Sequence, residues 1–218
     1  MGNLPAGPAS TAAAQVKFGG NTNFILGSAH ALAAYGQGQT GIDEVHLSRP
    51  SPTGPADTLV GELGKFSDID FTGGLVSYVD AALVELAPSC SIAEVLCFAS
   101  PFGAPADPPA NEKVAKCGAV PPFLTHGKVM VVGGAYEVTF PIFVNGSLSK
   151  VWFKDQFSIS GVDPTIPFGS SGDSGALVVS DDQHLLPRGL LMSGSELNNE
   201  FVANRISLVM SELNFSFP

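Results

Sequence analysis

The apolar residues of this chain fall into short runs separated by glycine and proline, and this pattern limits the possible folds more than any other feature. The 218 residues include 25 glycines and 17 prolines. Short apolar runs between such residues are typical of strands joined by tight turns, whereas long helices need continuous apolar stripes. The sequence therefore predicts an all-β protein.

Strand patterns occur in two groups, which divide the chain into two compact units. The first unit is predicted over residues 16–99 and the second over residues 114–199. Between them, residues 100–113 contain four prolines and no apolar periodicity, which indicates a linker. A turn is predicted at Gly133-Gly134. The predicted strands are Asn23–Leu26, Glu44–Leu47, Thr58–Phe66, Ala81–Leu86, Gly127–Val132, Tyr136–Val144, Val151–Phe153, Gln156–Ser160, Ala176–Val179 and Gly189–Met192.

The two ends of the chain differ from this pattern. Residues 1–15 lack both the basic and the apolar stretch of a secretory signal, so we expect a flexible tail, and the compartment stays open. Near the other end, Val202, Ile206, Val209 and Leu213 recur at the spacing of one helical face. This spacing predicts a C-terminal helix over residues 200–214.

The charge of the chain limits its partners. Twenty acidic and ten basic residues give a formal net charge of −10, which leaves no basic patch for binding phosphates. No apolar run reaches the roughly 18 residues that are needed to span a bilayer. We therefore expect a soluble protein with no nucleic-acid or membrane partner, while its oligomeric state stays open.

Three cysteines, Cys90, Cys97 and Cys117, cannot all pair within one chain. A reduced compartment and an exported chain with a Cys90–Cys97 bridge are both compatible with this number. None of the three lies in the spacing of a zinc site, and we expect neither a metal ion nor a cofactor.

The stretch Gly172-Asp173-Ser174-Gly175 carries the strongest functional signal, since hydrolases often present a nucleophilic serine between glycines. Such a serine needs a histidine base and a carboxylate that orients the base. Among four histidines, His30 is the best candidate, because it follows an apolar strand and is flanked by small residues. The other histidines lie in contexts typical of structural or solvated side chains: His46, His126 and His184.

Asp80 is the best candidate for the carboxylate. It precedes an apolar strand, where a charge is costly unless a donor such as an imidazole N–H satisfies it. Asp68 and Asp70 lie in a more polar loop and are weaker candidates. The order His30, Asp80, Ser174 differs from the orders found in α/β-hydrolases and subtilisins. It is the order found in chymotrypsin.

Three blocks of the sequence resemble the signatures of trypsin-like serine proteases. They are Ser28-Ala29-His30-Ala31, Val79-Asp80-Ala81-Ala82-Leu83 and Gly172-Asp173-Ser174-Gly175. More narrowly, VDAALVEL, FGSSGDSGALVV and ANRISLVMSEL are similar to a plant and bacterial group of trypsin-like proteins that includes the rice NARROW LEAF 1 protein.

The resemblance implies a fold of two packed antiparallel six-stranded β-barrels with a C-terminal helix, and a catalytic cleft between the barrels. It implies that Ser174 is the nucleophile, His30 the general base and Asp80 the group that orients the imidazole. The backbone N–H groups of Gly172 and Ser174 would form the oxyanion hole. The implied activity is that of a serine endopeptidase acting on peptide or protein substrates.

The resemblance also assigns the specificity pocket, to Phe168, Met192, Ser193 and Gly194. No acid stands among these residues, so a small or apolar substrate side chain is expected rather than Arg or Lys. In trypsin-like zymogens the residue matching Asp173 pairs with a newly cut amino terminus, but the sequence VKFGG lies too close to His30 to supply one. We therefore expect no such cleavage. The alternative function is a catalytically silent or latent protein on this fold that binds proteins or peptides.

Overall fold

The computed structural model describes residues 10–49, 56–90, 102–119 and 123–218. The described residues are mostly in strands, with two short helices among them, which confirms the all-β prediction. The described elements are strands β1 (Ala14–Phe18), β2 (Asn21–Gly27), β3 (Glu44–Arg49), β4 (Ala56–Phe66), β5 (Val76–Ser77), β6 (Ala82–Leu86), β7 (Lys113–Cys117), β8 (Leu124–Val144), β9 (Ser147–Gly161), β10 (Leu177–Ser180), β11 (Pro187–Ser195), β12 (Glu200–Arg205) and β13 (Phe215–Ser216), with helices α1 (Ala29–Leu32) and α2 (Ile206–Leu213).

The strands form two sheets. The first has the order β13-β1-β2-β6-β4-β3, and the second has the order β12-β11-β10-β7-β8-β9-β5. A further pairing of β12 with β9 closes the six strands β7 to β12 into a ring. In the described residues the first sheet ends at β13 and β3, so its closure into a second six-stranded barrel stays a prediction.

The long hairpin of β8 and β9 corrects the predicted turn at Gly133-Gly134. Strand β8 continues through both glycines, and the backbone takes up Gly133, at a φ of +79°, as an irregularity in the pairing with β9. The turn lies instead at Asn145 and Gly146, whose φ values are +51° and +81°. Positive φ at both positions is the geometry that favours Asn-Gly in two-residue hairpins.

The predicted C-terminal helix is too long at its start. Residues Glu200–Arg205 form β12, because hydrogen bonds to β11 on one side and β9 on the other outweigh the helical spacing of the sequence. The helix covers Ile206–Leu213 and buries Ile206, Val209 and Leu213. No helix in the described ranges is both long and apolar enough to cross a membrane.

The predicted tail and linker are both held in place where they are described. Thr11 and Ala13 are buried, and Ala14 begins β1, so the flexible-tail prediction is wrong for residues 10–15, while residues 1–9 lie outside the described ranges. In the linker, the Arg188 guanidinium donates to the Ala106 carbonyl at 3.0 Å, and Asp107 pairs with Arg205 at 2.6 Å. Residues 100 and 101 are not described.

The cysteines do not form the bridge considered above. Cys90 is a free thiol, and Cys117 is disulfide-bonded. A Cys90–Cys97 bridge is therefore wrong, and Cys97 itself lies outside the described ranges.

One apolar cluster joins the two halves, and its members Val138, Phe140 and Met192 line the cleft described below. It combines buried side chains of residues 29–82 with others from the β8–β9 hairpin and from β11. Its buried members are Ala29, Ala33, Leu63, Ile69, Ala82, Val138, Phe140, Val151, Phe153 and Met192.

Candidate active site

His30 and Asp80 are brought together by the pairing of β2 with β6. Gly27 at the end of β2 lies opposite Ala82 at the start of β6, so the residues just beyond these strand ends are neighbours. Asp80 Oδ1 accepts the backbone N–H of His30 at 2.9 Å, and Asp80 Oδ2 lies 2.5 Å from Nδ1 of the imidazole. Asp80 is fully buried and His30 is 6% exposed. This arrangement fixes the imidazole with Nδ1–H donating to the carboxylate.

Asp80 is itself held from the second half of the chain by Asn204 on β12. Asn204 Oδ1 accepts the backbone N–H of Asp80 at 3.0 Å, and Asn204 Nδ2 donates to the Asp80 carbonyl at 3.4 Å. Asn204 is fully buried. Sequence reasoning missed this residue, because it fell within the predicted helix and its partner is 124 residues away.

The pKa of His30 results from two opposing effects. Burial lowers the pKa, whereas the charge of Asp80 and its hydrogen bond to the ring raise it, and the net effect is a pKa above the ordinary value of 6.5. The carboxylate therefore makes the imidazole a stronger base than its burial alone would allow.

Ser174 lies in the loop between β9 and β10 and lines the same cleft as His30. Its hydroxyl donates to the carbonyl of Met192 at 3.4 Å. Within the described residues, no hydrogen bond joins the Ser174 hydroxyl to the His30 ring. The structure thus brings the three predicted residues together in one region, with the histidine–aspartate pair formed and the serine–histidine contact open.

The turn that precedes Ser174 leaves two backbone donors available. The N–H of Asp173 donates to the Ser170 carbonyl at 2.9 Å, which closes the turn, and Gly172 has a φ of +101°, a region that glycine adopts without strain. In the described part of the chain, the N–H groups of Gly172 and Ser174 have no protein acceptor. These are the two donors predicted for an oxyanion hole.

Asp173 has a buried cation as its partner. Lys116 on β7 donates through Nζ to Asp173 Oδ2, and the N–H of Ser170 donates to the same oxygen at 2.9 Å. The side chains are 1% and 2% exposed. Burial lowers the pKa of Lys116, and Asp173 opposes this effect by hydrogen bonding and charge. Sequence reasoning identified no partner for Asp173, since Lys116 is 57 residues away.

The cleft has a volume of about 280 Å³. Met192, Ser193 and Gly194 line it, and their role as specificity residues stays a prediction. Phe168 does not line it: the side chain is fully buried in the core and packs against Phe201, with ring centroids 6.0 Å apart, because the apolar strands around it enclose it.

Other side chains form the walls of the cleft. Phe201 lines it in place of Phe168, and Glu196 is a carboxylate at its exposed side that accepts the Ser171 N–H at 3.3 Å. Tyr35 and Phe140 contact the His30 ring, with centroid distances of 6.2 Å and 5.4 Å. Over the described ranges, no three or more His, Cys, Asp and Glu side chains group together in a way that could hold a metal ion.

Solved structures that are similar to this chain include chymotrypsin-like serine proteases, and the fold of this chain is theirs. Protease A of Thermobifida fusca is 13% identical, with a TM-score of 0.59, over 97% of this chain and 96% of that one. A glutamic-acid-specific serine protease is 14% identical, with a TM-score of 0.58, over 97% and 99% of the two chains. The chymotrypsin of Cellulomonas bogoriensis is 12% identical, with a TM-score of 0.56, over 95% and 97%.

Identity this low shows a shared fold and not a shared activity. No protein-family model matches the sequence, and no curated protein matches it. The narrower resemblance to the group that includes the NARROW LEAF 1 protein receives no support from these comparisons and stays a prediction.

Proposed function

We propose that this protein is a serine endopeptidase that hydrolyses peptide bonds of peptide or protein substrates through an acyl-enzyme intermediate. One observation carries the proposal: the cleft that contains Ser174 also contains an imidazole that is fixed by a buried carboxylate. Chymotrypsin-like serine proteases share the fold, and this analogy supports the proposed chemistry.

In the proposed mechanism, His30 carries its proton on Nδ1, which donates to Asp80, so that Nε2 keeps a free lone pair. Nε2 takes the proton of the Ser174 hydroxyl while Oγ bonds to the substrate carbonyl carbon. The same proton then passes to the leaving amine as the C–N bond breaks. A water molecule next gives its proton to Nε2 and attacks the ester, and that proton returns to Oγ as the acyl bond breaks.

The negative oxygen of each tetrahedral intermediate would be bound by the N–H groups of Gly172 and Ser174. A well-aligned donor at such a position typically contributes about 3 kcal/mol to transition-state stabilisation. The buried Lys116–Asp173 pair holds the turn that bears these donors without a new amino terminus. We therefore propose that activity needs no zymogen cleavage of the trypsin type.

The second candidate function is a protein or peptide-binding module on the same fold. It is favoured by the hydroxyl of Ser174, which donates to the Met192 carbonyl rather than to His30. In hydrolases a rotation about one side-chain bond moves a serine hydroxyl between such partners, and catalytic hydrogen bonds are often formed only with substrate bound.

A fluorophosphonate label distinguishes the two functions, because it reacts with a serine only when a base and an oxyanion hole activate that serine. We expect the wild-type protein to be labelled at Ser174 and the Ser174→Ala and His30→Ala variants to remain unlabelled. Ser211→Ala and His184→Ala change exposed residues outside the cleft and serve as matched controls that keep the label. A folded wild-type protein that is not labelled at neutral pH contradicts the endopeptidase and supports the binding module.

A further inference from the structure

Residues 10–13, which precede β1, lie against the turn that bears Ser174. The N–H of Ala13 donates to the Leu26 carbonyl at 2.8 Å and so anchors the segment to β2. Earlier in the segment, Thr11 bonds to the other half of the chain, and the Ser10 hydroxyl bonds both to the Ser174 carbonyl and to the Ser28 hydroxyl. The segment therefore links β2 to residues 170–174, the catalytic turn of the proposed enzyme.

Thr11 makes three hydrogen bonds across this contact. Its N–H donates to the Ser174 carbonyl at 2.8 Å, and its hydroxyl donates to the Gly172 carbonyl at 2.9 Å. The same hydroxyl accepts the N–H of Ala119 at 3.1 Å. The Ser10 hydroxyl adds a second donor to the Ser174 carbonyl at 2.9 Å. Thr11 is 9% exposed, so water competes little for these groups.

These bonds fix particular peptide planes. Each peptide unit is planar, so a plane is fixed when both its carbonyl oxygen and its N–H are bonded. In the Gly172–Asp173 unit, Thr11 binds the oxygen and Ser170 accepts the N–H at 2.9 Å. In the Ser174–Gly175 unit, Thr11 and Ser10 bind the oxygen, and the Leu191 carbonyl accepts the N–H of Gly175 at 2.7 Å.

The two fixed units alternate with the two that carry the candidate oxyanion donors. The N–H of Gly172 belongs to the unit before the first fixed plane, and the N–H of Ser174 belongs to the unit between the two fixed planes. The orientation of both donors therefore depends on planes that Thr11 holds. Thr11 itself does not line the cleft and touches no substrate position.

We propose that Thr11 is a positioning residue for the oxyanion hole, which it sets through the carbonyl oxygens of Gly172 and Ser174. This role rests on the proposed endopeptidase function. The hydroxyl is required because it donates to one half of the catalytic turn and accepts from the chain after β7 at the same time. Valine has the same shape and can do neither.

The test compares Thr11→Val with Thr11→Ser in the full chain, by the second-order rate of fluorophosphonate labelling. Loss of a hole donor typically costs about 10² to 10³ in rate, and a displaced donor costs part of this, so we expect labelling of Thr11→Val to slow by about 10 to 100-fold. Thr11→Ser keeps the hydroxyl, and we expect it to stay within about threefold of wild type. In Thr11→Val alone, the amide ¹H and ¹⁵N shifts of Gly172 and Ser174 should move.

Ser149→Ala is the control for a purely structural effect. It removes a buried hydroxyl that donates to the Phe71 carbonyl at 2.5 Å, away from the turn, so it should lower the unfolding temperature without slowing labelling. If Thr11→Val does not fold, Thr11→Ala replaces it, since it also removes the hydroxyl that bonds Gly172 and Ala119, and it should slow labelling by a similar factor.

Two outcomes overturn the role of Thr11 and leave the endopeptidase intact: wild type and Thr11→Val are labelled at the same rate, or Thr11→Ser is slowed as much as Thr11→Val. For the replacement variant, an unchanged labelling rate of Thr11→Ala has the same meaning. A wild-type protein that is not labelled at all contradicts the endopeptidase, and the role of Thr11 in it falls with that result.

Discussion

Replacement of Lys116 by methionine would remove the cation from the buried pair that holds the turn bearing Ser174. The Lys116 and Asp173 side chains are 1% and 2% exposed, so water has little access to the Asp173 carboxylate after the lysine cation is removed. Removal of one partner of a buried pair typically costs about 3 to 5 kcal/mol, against a total stability of about 5 to 15 kcal/mol. Since Asp173 lies between the two candidate oxyanion donors, we also expect labelling of Ser174 to slow by at least about tenfold.

Urea unfolding gives the free energy of unfolding, and fluorophosphonate labelling below the transition gives the state of the turn. Lys150→Met is the matched control, because Lys150 pairs with Glu137 on the surface, with side chains 60% and 35% exposed. Exposed pairs of this kind contribute about 0 to 1 kcal/mol. The double variant Lys116→Met/Asp173→Asn removes both charges, and we expect it to unfold at higher urea concentration than Lys116→Met.

Two results would refute this reasoning. One is a loss below about 1 kcal/mol in Lys116→Met, equal to that of the surface control. The other is a double variant no more stable than Lys116→Met, which would mean that the cost comes from packing of the lysine side chain and not from the charge left behind.

Two further predictions concern the cleft itself. Because Asp80 raises the pKa of His30, labelling of the wild type should increase with pH through a midpoint above 6.5, as the imidazole loses its proton. Asp80→Asn should lower the rate by about 10⁴ and move the midpoint to lower pH, and a pH profile with an unmoved midpoint would contradict this. A peptide library should show small or apolar residues at the cleavage position, since Met192 and Gly194 line the cleft with no acid beside them other than the exposed Glu196. A preference for Arg or Lys would mean that Glu196 determines specificity.

The sequence indicated the candidate catalytic residues but not the residues that hold them in place. His30, Asp80 and Ser174 lie in recognisable local contexts, and their order along the chain restricts the fold. Lys116 and Asn204 have partners 57 and 124 residues away, and no local pattern reveals which side chains such distant segments bring together.

The same physical reason explains the errors in secondary structure. Val202 extends the helical spacing of the following residues back into Glu200–Arg205, but this segment forms a strand, since β11 and β9 offer hydrogen bonds on both sides. The resemblance assigned Phe168 to the specificity pocket, but its side chain is buried in the core and packs against Phe201. The Asn145-Gly146 pair was a usable signal for the true hairpin turn.

Asn204 couples the movements of the two halves of the chain, because it binds the backbone of Asp80. Its side-chain amide bonds to Asp80 as the backbone of a neighbouring strand would, with one acceptor and one donor. Hydrogen bonds through Asp80, which orients His30, thus connect a strand of the second sheet to a loop of the first half. A sliding movement of one half against the other would displace the Asp80 carboxylate from the imidazole. The pKa of His30 would then fall, so this pKa depends on how tightly the two halves pack together.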